Sequence, residues 1–169
     1  SEGNLKQTST SGDRGFVVGT FPLTGKHYFE VLQNISSGTN GGFVGIADIT
    51  NTNSQNLHLT DLTIRIDGSA GSSLGSVSNN DVIGVAVDIK AKAIEFFKNG
   101  SSVYSGNYTT DDEYFPVFYD PSGGRDHNVI VNFGQDDTFA GTLSSNGVTG
   151  GGGKFRYAPP AGYNALCSR

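Results

Sequence analysis

The stretch Asp81 to Gly100, DVIGVAVDIKAKAIEFFKNG, constrains this chain more than any other. Val82 to Asp88 is a nearly continuous apolar run of strand length. Ile89 to Ala93 is a short connection rich in Lys and Ala. Ile94 to Lys98 returns as a second strand, and Asn99-Gly100 is a strong turn dipeptide, because both residues tolerate positive φ. The segment therefore reads as a β-hairpin followed by a second turn.

The remaining strand-like segments are separated by turns. The chain has 25 glycines, which leave no room for a long amphipathic helix. Phe16 to Thr20 is short and apolar. Lys26 to Gln33 alternates, with Phe29 and Val31 expected toward the core and Glu30 expected outward. Gly42 to Ile49 is apolar on both faces, as in a buried central strand. Leu62 to Ile66 alternates and ends in an Asp67-Gly68 turn. Tyr114 to Tyr119 and Asn128 to Phe133 are two further strands. Pro116 within the first of these calls for an edge, bulge or strand-start position. The stretch from Gly134, taken here as 136–153, is mostly Gly, Asp, Thr, Ser and Asn. It is expected to be an exposed Gly-rich loop, with Gly150 to Gly153 flexible. Phe155, Tyr157, Tyr163 and Leu166 then bring 154–169 back as a packed C-terminal segment. Short strands with Gly-rich turns and no internal repeat predict a single all-β domain of antiparallel sandwich or barrel type.

Composition excludes several function classes. The net charge is −5 and the basic residues are scattered, which argues against nucleic acid. No apolar run approaches the roughly 18 residues of a membrane span. No signal-peptide pattern opens the sequence, and Ser1 is read as the start of a processed, excised or trimmed chain. The single Cys167 cannot form an internal disulfide. His27, His58 and His127 lie far apart with no triad motif around them, so they are read as structural or surface residues. Asp111-Asp112-Glu113 and Asp136-Asp137 could supply oxygens to Ca²⁺, but neither follows an ordered calcium motif, and both are read as solvated turn acids. Gly150 to Gly153 lacks the Lys-Ser/Thr pair of a phosphate loop. No catalytic residue, metal or cofactor is expected. Asn34-Ile35-Ser36, Asn99-Gly100-Ser101 and Asn107-Tyr108-Thr109 fit the glycosylation pattern.

The order of motifs resembles the SPRY domain family. The residues that carry the resemblance are Gly25-Lys26-His27-Tyr28-Phe29-Glu30-Val31, Phe43-Val44-Gly45-Ile46-Ala47, Asp81 to Asp88, Ile94-Glu95-Phe96-Phe97-Lys98-Asn99-Gly100, Tyr114-Phe115-Pro116-Val117 and Val131-Asn132-Phe133-Gly134-Gln135. They run in family order over most of residues 25 to 135. The resemblance implies two packed antiparallel sheets of concanavalin-like jelly-roll type, acting as a binding module through loops at one edge. In peptide-binding members part of that surface follows the Phe-Pro strand. The matching positions are Tyr119, Asp120 and the loop Pro121 to Arg125. Asp67 and Ser69, in the loop after Leu62 to Ile66, are further candidates. The sequence has no Trp, whereas a Trp often stands near that surface, so peptide specificity does not carry over.

The closing stretch Phe155 to Arg169, FRYAPPAGYNALCSR, is similar to the end of SPRY domains in tailed-bacteriophage proteins. That similarity implies a virion setting: a tail fibre, an appendage or a capsid decoration. Among the aromatics, Phe96, Phe97, Phe115, Phe118 and Phe133 are expected in the core. Tyr104, Tyr108 and Tyr119 are expected in or near connections, where Tyr offers apolar area with a polar tip. The candidate ligand-binding residues are Asp67, Ser69, Tyr104, Tyr119, Asp120 and Arg125. Arg125 is suited to pair a carboxylate or stack on a ring. The expected partners are virion proteins and a host-surface glycan or protein, with homo-oligomers allowed. The alternatives are a purely structural virion protein and a host-type SPRY peptide adaptor.

Overall fold

The computed structural model describes residues 5–9, 16–35, 42–50, 53–59, 61–119 and 127–166. Asp120, Arg125 and Cys167 lie outside the described residues. Two antiparallel sheets face each other. The larger contains β1 (Leu5–Ser9), β12 (His127–Asn132), β3 (Lys26–Ile35), β8 (Val82–Asp88), β9 (Ala93–Lys98) and β10 (Ser101–Asn107), in that order. The smaller contains β2 (Phe16–Val18), β11 (Phe115–Tyr119), β4 (Phe43–Ala47), β5 (Ser54–His58), β6 (Ile64–Ile66) and β7 (Ser69–Ala70). A short hairpin of β13 (Val148–Gly150) and β14 (Gly153–Phe155) follows, and β15 (Asn164–Ala165) pairs in parallel with β3.

β8, β9 and the Asn99-Gly100 turn form where the sequence predicts them, and β10, not expected as a strand, extends them into a meander. Asn99 and Gly100 take φ of 50° and 80° at the second turn. The Asn99 side chain then ties the turn to the start of β8. Its Oδ1 accepts the Val82 N–H at 2.9 Å, and its Nδ2 donates to Asp81 at 2.7 Å. Pro116 sits inside the smaller sheet, between β2 and β4. The position is allowed because its carbonyl accepts the Gly19 N–H at 2.8 Å. The side of the residue that lacks an N–H therefore faces β2 just beyond the end of that strand.

Phe29, Val31, Val85, Val87, Ile94 and Phe96 meet Val44, Ile46, Leu57, Ile64 and Phe118 in the main core between the sheets. Glu30 does not face solvent as expected. It lies on the opposite face of β3 from Phe29 and Val31, yet it is fully buried. The C-terminal part of the chain covers that face. Phe139 packs on Leu32, Val82 and Ile130, and Phe155 packs on Tyr28 and Ala86. This second layer explains why every residue of β8 is buried and why the strand reads as one apolar run.

Glu30 anchors the layer. Its Oε1 accepts the Tyr157 N–H at 2.8 Å and the Tyr28 hydroxyl at 3.2 Å. Its Oε2 accepts the Arg156 N–H at 2.7 Å and Asn132 Nδ2 at 3.3 Å. Burial pushes the carboxyl up, the four donors pull it down, and burial prevails at about 7. Gly84, directly across from Glu30, leaves room for the Tyr28 ring; a Cβ there would lie 2.5 Å from the Tyr28 hydroxyl.

The expectation of an exposed loop over 136–153 is corrected at several positions. Asp137 and Phe139 are buried. The Asp137 carboxylate accepts the Ser145 hydroxyl and the N–H groups of Asn146 and Gly147. Gly151 and Gly152, with φ of 55° and 80°, form the turn between β13 and β14. Gly153 meets Gly134 so closely that a Cβ would lie 2.7 Å from the Gly134 Cα. The glycine run is therefore a tight hairpin and a packing contact.

Candidate functional site

Strand β5 passes through the centre of the smaller sheet with an unusual sequence, Ser-Gln-Asn-Leu-His, and its first four residues are all buried. Gln55 and Leu57 face one way, and Asn56 and His58 the other. The two buried amides have opposite fates. Gln55 Nε2 donates to Asp67 at 3.0 Å and to the Tyr114 hydroxyl at 3.3 Å, and its Oε1 accepts the Asp67 N–H at 2.8 Å. Asn56 is 2% exposed, and its Oδ1 has no hydrogen-bond partner.

The Gln55 side of the strand is structural. Asp67, a candidate contact residue, sits in the β6–β7 turn with φ of 49°. Its carboxylate accepts Gln55, the Thr109 N–H and hydroxyl, and the Thr110 hydroxyl. The slight burial pushes it up, but these donors outweigh that and hold it at about 2. Its oxygens are occupied in tying the turn to the β10–β11 connection. Ser69 is exposed in β7, beside this strut.

The outer face of the sheet is different. Phe118, Val44, Leu57 and Ile64 point into the core. The register therefore places Tyr119, Phe43, His58 and Arg65 on the other face. Four rings cross four adjacent strands. Phe16 meets Tyr119 edge-on at 6.1 Å, Tyr119 stacks on Phe43 at 6.3 Å, and Phe43 meets His58 at 4.7 Å. The Arg65 guanidinium lies 4.7 Å over the Phe43 ring. Arg65 is paired with Asn56 across the strands, and its buried Nε has no hydrogen-bond partner. His58 Nδ1 lies 2.7 Å from Asp61, whose carboxylate is half-exposed.

Of the sequence-predicted contact residues that are described, only Tyr119 belongs to this row. Tyr104 is not in a connection. It lies within β10, half-buried, with its ring 6.3 Å from Phe96. Tyr108 follows β10 and is buried, 5.2 Å from Tyr114. Phe43, Asn56, His58 and Arg65 were missed. Arg65 looks like an ordinary solvent-face residue of the alternating run Leu62 to Ile66. Asn56 lies in a strand too polar to be read as one. The acidic clusters have internal roles: Asp112 accepts Asn53 Nδ2 at 2.9 Å, Asp111 pairs with Lys92 at 3.0 Å, and Asp136 accepts the Thr138 and Ala140 N–H groups. Among the described residues, no group of three or more His, Cys, Asp or Glu could hold a metal ion.

A second surface feature lies at the mouth of the sandwich. A cleft of about 290 Å³ is lined by Val18, Phe21, Pro116, Phe133 and Leu166, among others. Phe21 is 79% exposed and Val17 is 41% exposed beside it.

No family model and no curated protein sequence matches this chain. Solved structures do. The SPRY domain of human HERC1 superposes with a TM-score of 0.62 at 19% identity, over 75% of this chain and 87% of that one. Stonustoxin matches with a TM-score of 0.55 at 20% identity, over 69% of this chain and 22% of its own length. The PSpry domain of TRIM65 matches with a TM-score of 0.50 at 17% identity, over 69% of this chain and 67% of that one. The chain has a SPRY-like fold, an all-β sandwich of antiparallel sheets.

Proposed function

We propose that this chain is a non-catalytic protein-binding module that meets its partner with the outer face of the smaller sheet and the loops at its Tyr119 end. The observation that carries this reading is the row Phe16, Tyr119, Phe43 and His58 capped by Arg65. Aromatic and Arg side chains are the usual anchors of protein interfaces. The SPRY-like fold supports the same reading, since SPRY domains serve as binding modules. We assign the module to a tailed-bacteriophage particle, as part of a tail fibre, an appendage or a capsid decoration that recognises a host-surface glycan or protein. The similarity of Phe155 to Arg169 to phage SPRY endings supports that setting. The test is binding of the fluorescently labelled chain to host cells. Wild type is expected to bind above background and Tyr119→Ala to lose most of that binding; correctly folded wild type that stays at background rejects the reading.

A second reading is a structural virion protein that packs only on its neighbours. The exposed Phe21 and Val17 beside an apolar cleft favour it. Sedimentation of the isolated chain separates the two. Assembly that Phe21→Ser abolishes, without any binding to cells, selects packing.

A further inference from the structure

We propose that Arg65 and Asn56 form a recognition site for an acidic residue, Asp or Glu, presented by the protein partner; this rests on the protein-binding reading above. Arg65 belongs to a chain with 16 Asp and Glu residues, yet no carboxylate among the described residues pairs with it. Its Nε is buried without a partner, as is Asn56 Oδ1 on the same face of the paired strand. Unpaired buried polar atoms are costly, and a ligand that supplied partners to both would offset that cost. Gln55, one residue earlier on the same strand, has its buried amide engaged by Asp67 and Tyr114, whereas the Asn56 oxygen is not engaged.

The two orphaned atoms define the ligand's chemistry. A guanidinium takes a carboxylate through two parallel N–H groups. Asn56 Oδ1 accepts an N–H. An acidic residue within a peptide offers both, a carboxylate on its side chain and an N–H on its main chain. A sugar fits less well, because no flat ring face is open to it. Phe43 is 6% exposed, with Arg65 over it and His58 and Tyr119 against it. Tyr119 meets Phe16 at 76°, edge to face. Asp61, held on His58 at 2.7 Å, adds a modest repulsion to an incoming carboxylate.

The test titrates the ¹⁵N-labelled chain with three probes: N-acetyl-glutamate N-methylamide, its glutamine counterpart, and N-acetylneuraminate. The expected result is a saturable shift of the Arg65 Nε–H and Asn56 side-chain amide signals with the glutamate probe, and binding at least roughly tenfold weaker with glutamine. Arg65→Lys keeps the charge and loses the fork, so it should weaken the glutamate probe about tenfold. Asn56→Asp should abolish binding by like-charge repulsion. Equal response to glutamate and glutamine, no response at Arg65, or full binding to Arg65→Lys overturns the proposal, and so does a preference for neuraminate. If a variant fails to fold, the glutamate preference of wild type decides. A chain that binds host cells through Tyr119 but shows no glutamate preference keeps the binding reading and loses this one.

Discussion

Glu30 makes the stability of this protein depend on pH in a direction opposite to most carboxylates. Its folded-state value of about 7 lies above the ordinary 4.5. The folded chain therefore holds a proton that the unfolded chain releases between those values, and stability falls as pH rises. At about 1.36 kcal/mol per pH unit, the loss from this residue between roughly pH 5 and pH 8 is about 2.5 kcal/mol. With a urea m-value of about 2 kcal/mol/M, the unfolding midpoint should drop by roughly 1.2 M over that range. Glu30→Gln removes the titration. Its amide oxygen can still take two of the donors. Its nitrogen turns toward either Arg156 N–H or Tyr157 N–H and leaves that group unpaired, at a cost of about 1–3 kcal/mol. The variant should start lower and run flat. Urea titrations of both proteins at several pH values measure this directly. A wild-type midpoint that stays level or rises over the same range refutes the reasoning, as does a Gln variant that keeps the wild-type slope.

Four other outcomes are expected. Asn56→Leu should leave stability unchanged or raise it by about 1 kcal/mol, because it removes a buried unpaired acceptor. Gln55→Leu should cost about 2 kcal/mol or more, because it strips a partner from the Asp67 carboxylate and from the Asp67 N–H; thermal melts compare the pair. Asp67→Asn should lose the acid-range part of the stability profile. With a folded value near 2, Asp67 stabilises above about pH 4 and loses that contribution as pH falls through 2, so acid unfolding should begin at higher pH in the variant. Gly100→Ala should destabilise by more than the roughly 1 kcal/mol of the φ of 80° alone, because its Cβ would lie 2.6 Å from Tyr157 Cδ1. An unchanged melting temperature contradicts it.

What was legible in the sequence follows from how local each signal is. β8, β9 and the Asn99-Gly100 turn were readable because apolar runs and turn chemistry act within a few residues. β5 was not readable, because a buried strand made of Ser, Gln and Asn has neither the composition nor the alternation of one. Glu30 was placed on the correct face of β3 and wrongly in water. The layer that buries it comes from Phe139, Phe155 and Tyr157, more than 100 residues later, and periodicity cannot report what lies above a face. The same holds for the candidate site. Tyr119 followed from a family motif, whereas Phe43, Asn56 and Arg65 become neighbours only through the pairing of β4, β5 and β6.

The separation between Glu30 and its donors also sets an order of events in time. Arg156 and Tyr157 follow it by 126 and 127 positions. At about 5–20 residues per second, a ribosome makes that stretch in roughly 6–25 s. Through that interval both sheets can emerge and pair while the carboxyl in β3 still faces water, charged and without its cap. Closure of the outer layer is then a late step of biogenesis, in which an already paired sheet takes up a proton as its last cover arrives.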